Sequence, residues 1–312
     1  MDRKDWIDRF EKGDVRALAR VISWVENSGG EVPAELKPIF SRVGRAFRVG
    51  VTGPPGAGKS TLVDGLATLY RKEGRSVGVI AVDPTSPFSG GALLGDRVRM
   101  NKAGLDAQVY IRSMATRGNL GGLTEAALDA ADLLDAFGKD VVILETVGVG
   151  QSELDIARAA DSTLVVLVPE SGDGVQAMKA GLMEIADIFV LNKADRPLAD
   201  RAVDELRSAL ELKAAHYSWK PPVIPAVASK GEGLDQVLNT LKKHRRALAE
   251  SGALKEKRRN RRRERIRRAV ENELRRRFWT DSRSTLLESG LDSDENPFRI
   301  AARLVKDFLD GK

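Results

Sequence analysis

The sequence predicts an α/β fold: a doubly wound, mainly parallel sheet with helical extensions before and after it. Three observations carry this. Seven short runs, 47–52, 77–82, 108–112, 140–144, 162–168, 187–191 and 222–227, are β-branched and almost continuously apolar, the pattern of strands covered on both faces. Stretches of 10–18 residues with helical periodicity separate several of them, and parallel pairing requires crossovers of that kind. Composition agrees: 312 residues with 42% apolar and 31% charged side chains match an ordinary soluble protein, long enough for one large core and an extension.

Residues 1–42 read as a helical N-terminal extension. Trp6, Ile7 and Phe10 share a face, Gly13-Asp14 interrupts with an N-cap, and Leu18, Ile22 and Val25 continue at i, i+4 and i+7 until Gly29-Gly30 stops the pattern. The sheet domain occupies 43–248. From 249 to 312 the sequence reads as a C-terminal helical arm. Its first helix, about 251–280, carries an apolar seam at Ile266, Val270, Leu274 and Phe278, each four apart. A final helix starts at Asn296-Pro297, an N-cap followed by proline in the first turn, with Phe298, Ala301, Leu304, Val305 and Phe308 as its apolar face.

Charge is concentrated rather than spread. The net charge is +6, yet residues 251–280 hold thirteen Lys/Arg against four Glu, so the remainder is close to neutral. Zero cysteines exclude disulfides, thiolate catalysis and Cys-based metal sites. The two histidines, His216 and His244, are far apart and read as surface residues or helix caps rather than ligands. No apolar run reaches the ~18 residues that span a bilayer. Five acids among the first 15 residues are unlike a targeting peptide, so the expected location is the cytoplasm.

The strongest motif is Gly53-Pro54-Pro55-Gly56-Ala57-Gly58-Lys59-Ser60-Thr61, between a strand and a helix predicted over Thr61–Tyr70. It matches G-x-x-x-x-G-K-[ST]: glycines let backbone N–H groups close round phosphates, Lys59 reaches the β- and γ-phosphates, and Ser60 is placed to ligate Mg²⁺. The fold class is therefore that of a P-loop NTPase. Asn192-Lys193-Ala194-Asp195 follows the strand 187–191. A carboxylate there accepts from both N1–H and the 2-amino group of guanine, whereas adenine would leave it buried and unpaired, a mismatch worth about 10⁴–10⁵ in discrimination. Ala228-Ser229-Lys230 fits the loop whose backbone N–H meets guanine O6.

Glu145, at the end of the strand 140–144, stands where P-loop NTPases place the carboxylate that holds Mg²⁺, usually through water, and Gly148 stands where a backbone N–H senses the γ-phosphate. No glutamine directly follows Gly148. Gln151 is three residues on, so slow intrinsic hydrolysis raised by a partner is expected. Asp83 and Asp96 lie in loops after the second strand, and since Mg²⁺ needs only one or two carboxylates, spacing alone leaves open whether either one joins the metal site.

These stretches resemble the MeaB/ArgK family of SIMIBI-class P-loop GTPases. The likeness is carried by GDVRALARVISWVEN (13–27), GPPGAGKST (53–61), VDPTSPFSGGALLGDRVRM (82–100), IRSMATRGNLGGL (111–123), ETVGVGQSE (145–153) and MKAGLMEIADIFVLNKAD (178–195). The resemblance implies a homodimeric, Mg²⁺-dependent GTPase that serves an adenosylcobalamin-dependent acyl-CoA mutase, typically methylmalonyl-CoA mutase, gating cofactor loading and protecting or reactivating the enzyme. It also implies that Asp83, Asp96 and Glu145 join Ser60 around Mg²⁺ and the hydrolytic water, that 170–179 is a third switch, and that Lys179 is that switch's lysine. Asn119 and Gln176-Ala-Met-Lys179 depart from the family pattern without removing a nucleotide ligand.

Three other functions fit the sequence less well. Nickel-inserting relatives generally carry Cys/His residues that this chain lacks. A kinase of transport-related proteins would have no use for the guanine-reading Asp195. A nucleic-acid-binding GTPase could use the eight arginines of Arg258–Arg268 for phosphate contacts, but no aromatic side chains interleave with them to stack bases.

Overall fold

The computed structural model describes residues 2–28, 32–83, 103–115, 123–146, 152–169, 181–212, 218–291 and 294–310. Its sheet has seven strands: β1 (Phe47–Thr52), β2 (Val77–Asp83), β3 (Val109–Ala115), β4 (Val141–Glu145), β5 (Ser162–Leu167), β6 (Ile188–Asn192) and β7 (Val223–Ala226). They lie in the order β3-β2-β4-β1-β5-β6-β7, and every pairing is parallel. All seven expected strands are present; most ends shift by one residue and the end of β3 by three. β3 runs on to Ala115 because its ladder with β2 continues to Asp83. β7 stops at Ala226 because Val227 leaves it to bridge Glu232 in antiparallel fashion.

Helices α1 (Arg3–Glu11), α2 (Val15–Asn27), α3 (Lys59–Lys72), α4 (Glu125–Ala136), α5 (Ser152–Ala159), α6 (Leu182–Ile185), α7 (Ala199–Leu212) and α8 (Leu234–Glu250) accompany the sheet. Alternate strand residues sort to its two faces. Val79, Ala81 and Ile143 join a core with Leu62, Leu66, Val237 and Leu241 of α3 and α8. Ile80, Val82, Val142 and Leu144 join another with α4 and the N-terminal helices. Asp14 caps α2, accepting from the backbone N–H of Arg16 at 2.7 Å, and Leu18, Ile22 and Val25 are buried as their spacing predicts. Phe10 meets Phe137 edge-on at 5.1 Å. At 34–42, preceded by Pro33 and interrupted by Pro38, the chain is a 3-10 helix. A third core gathers α7 against β5 and β6.

Under the N-terminal ends of the strands lies a buried polar network. Arg48, in the central strand, is 4% exposed and pairs with Asp132 at 2.5 Å and Asp135 at 3.3 Å on α4. Burial works against the Arg48 charge, but the carboxylates of Asp132, Asp135 and Asp161 overcome it and hold its pKa above the usual arginine value. Asp135 also accepts from the backbone N–H groups of Gly44, Arg45 and Ala46.

His244 corrects an expectation: it is buried on α8 rather than exposed. Its Nδ1 lies 2.7 Å from Ser162 Oγ, its Nε2 3.4 Å from Asp187, and Trp219 covers its ring at 4.7 Å. Helical periodicity carries it there, since Leu241 and Leu248 of the same helix are also buried.

The basic helix α9 (Ala253–Phe278) is followed by α10 (Asp281–Leu291), which the sequence reading did not anticipate, and α11 (Pro297–Leu309). The chain divides into two compact units, residues 1–259 and 260–312. In the first, the root of α9 is tied down: Lys257 donates to the backbone carbonyl of Asp161 at 2.9 Å, and Arg258 donates to those of Gly44 and Ala46.

In the second unit, Phe278 packs edge-on against Trp279 and Phe308, and Arg283 donates to the carbonyl of Phe278 at 2.9 Å. Asn296 caps α11 as expected. Its buried apolar residues are Ile300 and Leu304, however, and Phe298 is 84% exposed, because Ile300 seats against Gly290. No residue of α9 is buried, and Ile266, Val270 and Leu274 are each about half exposed among the described residues. No described helix is long and apolar enough to cross a membrane.

Candidate active site

β1 runs straight into the phosphate-type loop, and α3 starts at Lys59 itself, two residues earlier than expected. The loop needs glycine at two positions. Gly53 has φ +138°, and a Cβ there would stand 2.0 Å from the Val166 carbonyl oxygen of β5. Gly58 has φ +87°, and a Cβ would stand 2.3 Å from the Asn192 side-chain nitrogen. Both combine a left-handed backbone with no room for a side chain. Gly58 provides no side-chain cap to α3, so the first-turn N–H groups of that helix remain anion donors. The Lys59 ammonium is buried and donates back across the loop to the carbonyls of Gly53 at 2.9 Å and Pro54 at 3.0 Å.

The sheet register brings the next group in. Val51 of β1 pairs with Glu145 of β4, which sets the Glu145 carboxylate beside the first turn of α3. Ser60 Oγ donates to Glu145 Oε1 at 2.7 Å, and both residues are buried. The following residue fixes this corner: Thr146 donates its N–H to the Val51 carbonyl at 3.1 Å and pairs its hydroxyl with that of Thr52 at 2.9 Å.

A hydroxyl and a carboxylate side by side are hard oxygen donors of the kind Mg²⁺ takes when phosphates and water complete its shell. That donor set fits the ion. No group of three or more His, Cys, Asp or Glu that could hold a metal occurs among the described residues, so nucleotide oxygens would have to supply much of the coordination. The backbone of Asp83 ends β2. Its carboxylate, together with Asp96, Gly148, Gln151 and Lys179, lies outside the described residues.

At the end expected to read the base, the organising residue is Asn192, the last of β6 and 3% exposed. Its Nδ2 donates to the Ala57 carbonyl at 2.7 Å, and its Oδ1 accepts from the Ala228 N–H at 3.0 Å. One side chain thus fastens the phosphate loop to the 228–230 loop. Lys193 takes a left-handed conformation, φ +58°, and Ala194 donates to the Ala226 carbonyl at 3.0 Å, which turns Asp195 outward.

Asp195 is exposed, not buried as its proposed role suggested. Its Oδ2 accepts from Lys230 Nζ at 3.0 Å, a bond that holds the Asp195 carboxyl below its usual range and raises Lys230. Ser229 is exposed beside them. Nothing local in the sequence signals the bridging role of Asn192 or the Thr52–Thr146 lock. The N-K-x-D pattern marks Asn192, but its two partners are 135 and 36 residues away.

Comparison with known proteins identifies the family. The family model described as methylmalonyl Co-A mutase-associated GTPase MeaB matches residues 18–283. A protein of Pyrococcus abyssi is 48% identical over 312 residues, covering 98% of this chain and 96% of its own length. Escherichia coli GTPase ArgK is 38% identical over 276 residues, 86% of this chain and 83% of that protein. The mouse methylmalonic aciduria type A homolog, mitochondrial, is 41% identical over 216 residues, 68% of this chain and 52% of the mouse protein.

Among solved structures, one titled LAO/AO transport system kinase superposes with a TM-score of 0.70 at 30% identity over 97% of this chain and 96% of that one. Helicobacter pylori HypB in complex with nickel, at TM-score 0.50 and 17% identity over 73% of this chain and 95% of its own, shares the fold. A P-loop with a carboxylate one strand over coincides with a family match over most of the chain, which is a GTPase belonging to the MeaB/ArgK family of SIMIBI-class P-loop proteins.

Proposed function

We propose that this GTPase acts as a chaperone of an adenosylcobalamin-dependent acyl-CoA mutase, most directly methylmalonyl-CoA mutase, coupling GTP hydrolysis to cofactor loading and to protection or reactivation of the mutase. The observation that carries the hydrolytic half is the buried Ser60–Glu145 pair at the foot of the P-loop. The description of the matching family and the name of the mouse relative support the mutase half. A cytoplasmic homodimer completes the reading.

Lys59 exchanges the carbonyls of Gly53 and Pro54 for phosphate oxygens, and the N–H groups of 56–60 surround the β-phosphate. Ser60 Oγ would hold Mg²⁺ directly and Glu145 through water; when bound, the ion neutralises phosphate charge and orients the γ-phosphoryl group. Asn192 keeps the phosphate loop and the 228–230 loop at a set distance, so Asp195 meets the guanine N1–H and 2-amino group once it lets go of Lys230. Water attacks the γ-phosphorus, the bond to the β-phosphate bridging oxygen breaks, and the proton leaves on inorganic phosphate. Catalysis is positioning and charge stabilisation. On sequence grounds Asp83, Asp96 and Gly148 belong to the γ-phosphate side, where loss of phosphate contacts on hydrolysis would change the surface offered to the mutase.

The test is steady-state hydrolysis of GTP and ATP with and without methylmalonyl-CoA mutase. Slow GTP-selective turnover that rises several-fold with mutase supports both halves. GTP turnover indifferent to that mutase and to isobutyryl-CoA and ethylmalonyl-CoA mutases overturns the partner. The kinase title of the solved relative motivates a second reading, and phosphate transfer from γ-labelled GTP to a transport-protein acceptor instead of to water would establish it.

A further inference from the structure

At the opposite end of the sheet from the P-loop is a cleft of about 680 Å³, within the size range of small-molecule sites. Its floor is the start of β1 at Phe47 and of β4 at Val141, with Tyr70 from the last turns of α3. One wall is the face of α8 that presents Lys242, Arg245, Arg246 and Ala249, positions that fall together on a helix. Arg45, Arg75 and Lys139 complete a lining of six cations against two carboxylates, Glu73 and Asp140.

Those carboxylates are already engaged. Glu73 pairs with Lys242, and Asp140 accepts from the backbone and hydroxyl of Ser76 and pairs with Arg75 at 3.5 Å. Lys139 is spent on the Gln108 carbonyl. Arg45, Arg245 and Arg246 have no ion pair among the described residues, and Arg245 is held over the Phe47 ring at 5.1 Å. Three exposed arginines without an ion pair therefore line one concavity, and each guanidinium offers the planar fork that suits phosphate oxygens.

Tyr70 is the independent observation. It is 5% exposed and lines the cleft, and its hydroxyl makes no hydrogen bond among the described residues. Burial holds the phenol protonated, well above its ordinary value. The ring is buried while the residue lines the cleft, so the hydroxyl is available to donate to a group bound there.

We infer that this cleft binds a soluble phosphorylated small molecule, with Arg45, Arg245 and Arg246 taking the phosphate oxygens and the Tyr70 hydroxyl donating to one of them. The site is separate from the nucleotide site. It sits at the far end of α3, the helix whose first residues are Lys59 and Ser60, about 16 Å along the helix axis.

The test is calorimetric titration of inorganic pyrophosphate into the full chain saturated with GDP, which occupies the P-loop. Sulfate at equal ionic strength and phosphatidic acid vesicles serve as parallel arms. The expected result is saturable one-to-one binding of pyrophosphate. Arg45→Ala/Arg246→Ala should weaken it by about a hundredfold and Tyr70→Phe by about fivefold, with GDP affinity unchanged in both. Three results overturn the inference: no saturable binding, a heat that sulfate reproduces, or retention on vesicles without pyrophosphate binding. Should the double variant fail to fold by circular dichroism, Tyr70→Phe, which removes one oxygen, decides; binding equal to the native chain would then overturn the site.

Discussion

The two ends of the sheet treat charge in opposite ways. Beneath the strands, Arg48 is closed in by Asp132 and Asp135, and Asp135 is further committed to three backbone N–H groups. At the upper ends, Lys59 rests on two carbonyls of its own loop, Ser60 on Glu145, and Asp195 on Lys230 in solvent. The lower set holds the fold together, because a buried charge that loses its partner has nowhere to go. The upper set consists of pairs that a ligand can replace one for one. Stability and nucleotide binding are thus written into opposite ends of the same strands.

The comparison is broken most severely from below. Asp135→Ala leaves Arg48 short of a carboxylate and three amides unpaired, and should cost about 3–5 kcal/mol in stability; chemical denaturation measures it, and a loss below about 1 kcal/mol would mean the network is dispensable. From above, Lys59→Ala should lower GTP turnover about 10²–10³-fold with the melting temperature nearly unchanged; a variant that melts much earlier would show the lysine to be structural.

Asp195→Asn should reduce preference for GTP over ATP by about ten- to a hundredfold, read from competition binding. Unchanged selectivity would remove Asp195 from base reading. The smallest effect is pH dependence. Burial lowers the His244 pKa below its ordinary 6.5, against the partial support of Asp187. The unfolded chain then binds more protons than the folded one as pH falls from about 6.5, so stability should decline in that window. His244→Gln should flatten the slope between pH 6.5 and 5. An unaltered slope would place the titration elsewhere.

Much of this arrangement is legible in the residues. Strand positions follow from apolar runs between turns, and the P-loop and N-K-x-D were recognisable because backbone geometry and base chemistry admit few alternatives at those positions. The lower network was not legible. Arg48 in FRVGVT signals a buried charge that needs a partner, but nothing local says that it lies 84 residues along at Asp132. The burial of His244 and the exposure of Phe298 were misjudged for a related reason: a helix's periodicity shows which residues share a face, while the neighbour decides which face is covered.

What the sequence determined by itself was the list of parts: a parallel sheet, a phosphate loop marked by its glycines, lysine and serine, and a carboxylate expected to read guanine. These depend on short-range geometry, where a few consecutive residues dictate the backbone. The tertiary structure decided how the parts meet. Parallel register set Glu145 beside Ser60, and the close approach of β6 to the P-loop let Asn192 join two loops far apart in the chain. Such contacts depend on packing between strands whose separation in sequence carries no information about their separation in space.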